Sequence, residues 1–278
     1  MDTGLSDSVL EHLRRVVDLP DLTGTRYSLE SEIGRGGMGV VYAAHDRELD
    51  RRVALKVMDA TLSAEPRLIA RLEHPAIVPV YESGTLPDGR VFYTMKLVSG
   101  ARLDRYLESK PALAERLRVV QRVGEALGFA HSQGVLHRDL KPQNVMVGAF
   151  GEVYVMDWGV EAVAGTPGFR APEGVSDARS DIYSFGALLL FALGQDRKPA
   201  PLIAVAEKAM STAPASRYST AAEVLAEIAR YQDGVAVEAY RESPWQALRR
   251  YGERNAVLLW LLAAYVGVRF LLLFLRNL

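Results

Sequence analysis

The sequence predicts an α+β protein of two lobes, a small β-rich N-terminal lobe and a larger, mostly helical C-terminal lobe, followed by a transmembrane helix. Three patterns predict it. Short β-branched runs separated by Gly-rich or charged turns fill Tyr27 to Val98. From Ala112 onward apolar residues recur at threes and fours, as in Leu117, Val120, Val123, Leu127 and Ala130, until Gly134 ends the run. Near the C-terminal end, Ala256 to Leu275 reads AVLLWLLAAYVGVRFLLLFL, with a single charge at Arg269.

Taken in order, residues 1–26 form an N-terminal helical extension. Within it Val9, Leu10, Leu13, Val16 and Val17 share one helical stripe after a Ser6 cap. Residues 27–98 form the N-terminal lobe, with strands at LESEIG, GVVYAAHD, RRVALKVMD and VFYTMKLV and one helix near 64–72 that His74-Pro75 closes. Residues 99–231 form the compact helical lobe, with further helices expected at 181–193, 202–211 and 220–231.

A juxtamembrane linker, 232–254, then leads to the span, 255–275. At ~1.5 Å per residue, 20 helical residues extend ~30 Å, the thickness of a bilayer's hydrocarbon core. The run has no polar face, which argues against the alternative of a buried core helix. Arg269 lies near the far end, where it can snorkel to head groups. Arg249, Arg250 and Arg254 precede the span and Arg276 follows it, so a single-pass protein with its N-terminal body in the cytoplasm and a short stub beyond the membrane is expected. Met1 to Asp7 lacks the basic start and apolar stretch of a secretory leader.

Composition narrows the chemistry. Lys and Arg total 33 and Asp and Glu 34, so no global field points to nucleic acid as a partner, and any phosphate binding must be local. The absence of cysteine excludes disulfides, thiolate metal sites and a cysteine nucleophile. His45, His74 and His131 are scattered, without zinc-site spacing.

Ile33 to Tyr42 reads IGRGGMGVVY, a GxGxxG at Gly34, Gly36 and Gly39 with an extra Gly37. Glycines let backbone N–H groups approach phosphate oxygens, but a plain glycine-rich hairpin has the same lettering. A strand rather than a helix follows, so the dinucleotide-binding version is excluded. Lys56 sits inside the apolar strand Val53-Ala54-Leu55-Lys56-Val57, where a buried ammonium needs an anion. A solvated edge lysine is the alternative for Lys56 alone.

His137 to Asn144 reads HRDLKPQN and Val155 to Gly159 reads VMDWG. These segments resemble the catalytic loop and the metal-binding element of eukaryotic-like protein kinases, with Trp158 in the usual phenylalanine position. Gly168 to Glu173 (GFRAPE) resembles the family's APE element, and Arg217 the arginine that pairs with its glutamate. The match runs in family order from about Tyr27 to Tyr231, so the chain is identified as resembling bacterial Hanks-type, membrane-anchored Ser/Thr kinases of bilobal protein-kinase-like fold.

The resemblance implies ATP and Mg²⁺ as cofactors and Ser or Thr hydroxyls of proteins, its own among them, as acceptors. On its terms Asp139 accepts the hydroxyl proton, Lys141 contacts the γ-phosphate, Lys56 grips the α- and β-phosphates, and Glu65 pairs with Lys56. Asn144 and Asp157 hold the metal. Ile33, Gly34, Gly36, Gly37, Gly39, Val41, Ala54 and the backbones of Lys96 and Val98 surround the nucleotide, with Met95 as gatekeeper. His137 is implied to be structural. Dimerisation through the span is allowed, although no GxxxG supports it.

Three departures leave a second reading open, a nucleotide-binding pseudokinase acting as a membrane-anchored signalling module. Glu65 follows Lys56 by only nine residues and precedes Pro66, which places it in the first turn of a trimmed helix. Between Gly159 and Thr166 the chain reads VEAVAG, without a hydroxyl to phosphorylate, so switching by assembly or constitutive competence is expected. After Gly194 the segment QDRKPAP leaves little room for a substrate-docking helix.

Overall fold

The structure is a computed structural model and describes residues 19–36, 39–59, 64–159, 167–194 and 199–276, apart from the side chains of 64, 65, 258, 270, 274 and 276. The N-terminal stripe expected before residue 19, Gly37, the Glu65 side chain, the 160–166 segment with Thr166, and residues 195–198 lie outside what is described. The chain divides into two compact units, Met1–Lys110 with Phe129–Gly165, and Pro111–Gly128 with Thr166–Leu278.

The first unit carries a five-stranded antiparallel sheet in the order β1-β2-β3-β5-β4, built from β1 (Tyr27–Gly36), β2 (Gly39–Asp46), β3 (Arg51–Met58), β4 (Val80–Thr85) and β5 (Val91–Lys96). The period of two sorts β3 between its faces. Val53, Leu55 and Val57 join Tyr27, Tyr42, Ala44, Leu86 and Phe92 in one buried cluster, while Ala54 and Lys56 face a cavity on the other side. Helix α1 (Ala64–Ile69) lies between β3 and β4 in sequence and carries Glu65 and Pro66.

A second, three-stranded sheet, β6 (Gly100–Arg102), β7 (Val145–Gly148) and β8 (Val153–Val155), has helix α2 (Leu103–Glu108) directly after β6. Val145 pairs with Val155 across the β7–β8 hairpin, and the Met156 N–H donates to the Asn144 carbonyl at 2.9 Å. This hairpin therefore brings Asn144 and Asp157, which flank it in sequence, to one end. The Val155 N–H donates to the Ala76 carbonyl at 2.8 Å, which ties β8 to the loop after α1.

Helix α3 (Leu113–Ser132) runs from the second unit into the first. The rest of the second unit comprises α4 (Ala178–Leu193), α5 (Ala200–Ala209), α6 (Ala221–Gln232), α7 (Pro244–Arg254) and α8 (Ala256–Arg276). Asp177 and Ser180 form a reciprocal capping box at the start of α4. Ile182, Phe185, Leu188 and Leu189 are fully buried along it. Gly186 lets α5 approach, because a Cβ there would lie 2.6 Å from the Ala209 Cβ.

Helix α8 covers the stretch expected to span a membrane, and Val257, Trp260, Leu261, Leu262, Tyr265, Leu271, Leu272, Leu273 and Leu275 are all exposed along it. Among the described residues no single helix is long and apolar enough to cross a membrane. One pair, Pro244–Arg254 with Leu259–Leu273, bent by 78°, is so by length and composition.

Candidate active site

The sheet builds one wall of the site. Val41 on β2 pairs with Lys56 on β3, and Ala54 pairs with Met95 on β5, so all four face the same cavity. Gly34, Gly36 and Gly39 close the β1–β2 edge above it. A Cβ added to Gly34 or Gly36 would meet nothing within 4 Å, so their backbones border open space. Gly39 is required for a different reason: its φ is +128° and a Cβ would sit 2.1 Å from the Val57 carbonyl oxygen.

Lys56 is only 3% exposed, and its Nζ lies 3.1 Å from Asp157 Oδ1. This is the anion that a lysine inside an apolar strand needs. Asp157 reaches it from a left-handed backbone conformation, φ 57°. The next residue holds that turn in place. Trp158 is 1% exposed, packs against His137 with ring centroids 4.7 Å apart, and donates its indole N–H to the Val155 carbonyl at 2.9 Å. His137 is fully buried and its Nδ1 accepts the Asp139 N–H at 3.3 Å, consistent with a structural role.

The HRDLKPQN segment borders the same cavity as Lys56. Lys141 Nζ is 2.6 Å from Asp139 Oδ2. Asn144, buried in the single turn Pro142–Asn144, donates its amide to the Asp139 carbonyl oxygen at 2.9 Å and to Oδ2 at 3.4 Å. The amide nitrogen is thereby used to hold Asp139, which leaves the amide oxygen to serve as a ligand. Arg138, also with positive φ, makes a long 3.5 Å contact to the Gly159 carbonyl.

One cavity of about 940 Å³ collects most of the residues expected from the sequence: Ile33, Gly34, Gly36, Gly39, Val41, Ala54, Lys56, Lys96, Val98, Asp139, Lys141, Asn144 and Asp157. Gly37 and the Glu65 side chain are outside the described residues, so no distance from Glu65 to Lys56 is given by the structure. Sequence reasoning missed Val78, Val80, Met146 and Val155, which line the same cavity. Apolar residues such as these read as core, and only tertiary pairing turns them to the cavity: Val80 through β4 against β5, and Met146 and Val155 through the β7–β8 hairpin. It also missed the bond between the Lys96 ammonium and the Tyr154 hydroxyl, which holds the Lys96 ammonium above its ordinary pKa.

A metal would find oxygen donors of the hard kind here, the Asn144 amide and the Asp157 carboxylate. Among the described residues no group of three or more His, Cys, Asp or Glu could hold an ion unaided. The residues present fit a divalent cation whose remaining ligands come from phosphate oxygens and water.

Residues 27–213 match the family described as Protein kinase domain. The chain belongs to that family. Among similar proteins, the serine/threonine-protein kinase PknB of Mycolicibacterium smegmatis is 32% identical over 79% of this chain and 45% of its own length. PknB of Mycobacterium tuberculosis is 33% identical over the same shares. The DNA damage-responsive serine/threonine-protein kinase RqkA of Deinococcus radiodurans is 40% identical over 60% of this chain and 30% of its own. The chain thus spans about half the length of the PknB relatives and less than a third of RqkA. Membership in the family implies ATP and a divalent metal, and the cavity offers a cation for phosphate and two oxygen ligands for a metal in one place.

Proposed function

We propose that this chain is an ATP-dependent protein kinase that transfers the γ-phosphate to Ser or Thr hydroxyls, tethered to a membrane through 255–275. The observation that carries the catalytic part is the convergence of two ion pairs, Lys56–Asp157 and Lys141–Asp139, with Asn144 in one cavity beneath a glycine edge. The lobes proposed for this activity are residues 27–98 and 99–231.

Positioning and charge stabilisation do most of the work in phosphoryl transfer. The backbones of Gly34, Gly36 and Gly39 border the space for the phosphates, and Lys56 supplies the cation for the α- and β-phosphates. Asn144 and Asp157 would hold Mg²⁺, which when bound neutralises charge on the β- and γ-phosphates. Asp139, steadied by the Asn144 amide, orients the attacking hydroxyl and accepts its proton. A new O–P bond forms to the γ-phosphorus as its bond to the β–γ bridging oxygen breaks and ADP leaves. Lys141, already beside Asp139, offsets the charge that accumulates on the transferred group.

Two features support the tether. Helix α8 presents large apolar side chains outward along its length, and the arginines before it outnumber the one after it.

Incubation of the full chain with labelled ATP, Mg²⁺ and a mixed Ser/Thr protein substrate, beside its Asp139→Asn variant, tests the catalytic reading. Transfer by the parent and a loss of about 10²–10⁴-fold in the variant is expected. Nucleotide binding without transfer by the parent would support the pseudokinase instead. Sedimentation with membranes after alkaline carbonate washing tests the tether.

A further inference from the structure

Between the catalytic body and α8 stands α7, an 11-residue helix with its own start signal. Ser243 accepts the Gln246 N–H, and the Gln246 side chain accepts the Ser243 N–H. At 100° per residue, Trp245, Leu248 and Tyr251 fall on one third of its circumference. They are 80%, 60% and 59% exposed. Three large amphipathic or apolar side chains on one exposed face call for a partner.

The opposite side of α7 is anchored. Arg250 Nε lies 2.9 and 3.0 Å from the two carboxylate oxygens of Glu242, and its Nη1 donates to the Gly234 carbonyl at 3.3 Å. Arg250 is half-buried there, so the helix cannot roll its aromatic face inward without breaking these bonds. Arg249 and Arg254 flank the apolar face on either side. Arg249 is engaged by Glu253 at 2.8 Å, an exposed pair of a kind worth little and easily exchanged for another anion.

Direction is the independent observation. The axis of α7 is bent by 78° from that of Leu259–Leu273. With the apolar segment along the membrane normal, α7 lies about 12° from the membrane plane, the complement of that angle.

We propose that α7 is an interfacial helix lying along the surface of an anionic membrane, with Trp245, Leu248 and Tyr251 at the boundary between head groups and acyl chains and Arg249 and Arg254 against lipid phosphates. It would set the catalytic body at a fixed attitude to the membrane rather than on a loose leash. Trp and Tyr favour this boundary because one end of each ring system is polar and the rest apolar. The inference rests on the tether proposed above.

The test uses the full chain in vesicles of phosphatidylcholine with phosphatidylglycerol. The Trp260→Phe variant leaves Trp245 as the reporter, and the Trp245→Phe/Trp260→Phe variant supplies the background from buried Trp158. The expected result has three parts: the chain resists carbonate extraction, Trp245 emission shifts to the blue, and lipids brominated near the head group quench it severalfold more than lipids brominated near the chain end. The Arg249→Gln/Arg254→Gln variant should lose much of this quenching in high salt sooner than the parent does, while staying membrane-bound. A chain that resists extraction but whose Trp245 is neither shifted nor quenched overturns the interfacial helix and leaves the tether standing. A blue shift without quenching assigns the face to protein, such as a second copy of this chain, and also overturns the proposal. Release of the chain by carbonate removes the tether and this inference together.

Discussion

Lys56 in the first unit and Arg217 in the second are both buried cations, yet their surroundings differ in kind. Arg217 donates from Nη1 and Nη2 to the two oxygens of Glu173, each at 2.7 Å, from Nε to the Ser211 carbonyl at 2.7 Å, and from Nη1 to the Arg179 carbonyl at 3.0 Å. Its planar donors are matched by fixed acceptors, an arrangement suited to holding architecture. Lys56 is a compact charge on a flexible stem, paired at 3.1 Å with a partly exposed carboxylate and bordering a cavity. Its environment can accept another anion, as the proposed role of Lys56 requires and a purely structural cation does not.

Replacing each cation with an apolar residue of similar volume sharpens the contrast most. Lys56→Met should lower the phosphotransfer rate by about 10²–10³-fold, the usual cost of removing one preorganised donor to developing charge. Its denaturant midpoint should hold or rise, because apolar replacement of a buried charge is often neutral or stabilising and Asp157, more than a third exposed, can regain water. Arg217→Met should do the reverse in urea unfolding and cost about 3–5 kcal/mol, since Glu173 and the carbonyls of Ser211 and Arg179 lose their donors. If the two variants lose stability equally, the distinction fails.

A smaller effect is expected at Trp158, the residue after Asp157, the carboxylate proposed to hold the metal. Trp158→Phe keeps the ring against His137 but deletes the indole N–H bond to the Val155 carbonyl, at a cost of about 1–3 kcal/mol in stability. If Trp158 also holds the Asp157 turn, KM for ATP should rise alongside. Calorimetry and ATP-dependent kinetics on one preparation would measure both.

The smallest effect is a pH dependence confined to the structural pair. The hydrogen bonds from Arg217 hold the Glu173 carboxyl below its ordinary pKa, with burial working against them. A folded pKa below the unfolded one means the contribution is fully present above the unfolded value of ~4.3 and is lost as pH falls through the folded value. Glu173→Gln should therefore flatten this part of the acid limb of the stability curve while lowering stability near neutrality. An unchanged acid limb would show that other carboxylates dominate it.

The legibility of these regions differed for physical reasons. The HRDLKPQN and VMDWG segments singled out Asp139, Lys141, Asn144 and Asp157 through the family resemblance, and all four border one cavity. Arg217 could be matched to Glu173 across 44 residues only through the family resemblance. Apolar cavity residues such as Val80 and Met146 carried no signal, since strand residues facing a ligand and strand residues facing a core have the same chemistry.

By itself the sequence determined the kinase family, the strand-rich and helix-rich halves, and the chemical groups that bear charge, because local spacing and residue type carry that information. Tertiary structure alone decided which carboxylate meets Lys56, how the β7–β8 hairpin brings Asn144 and Asp157 to one end, and which face of α7 is left outward. Those outcomes depend on register and packing between segments far apart in the chain, where a one-residue shift of a strand would turn every side chain to the other face.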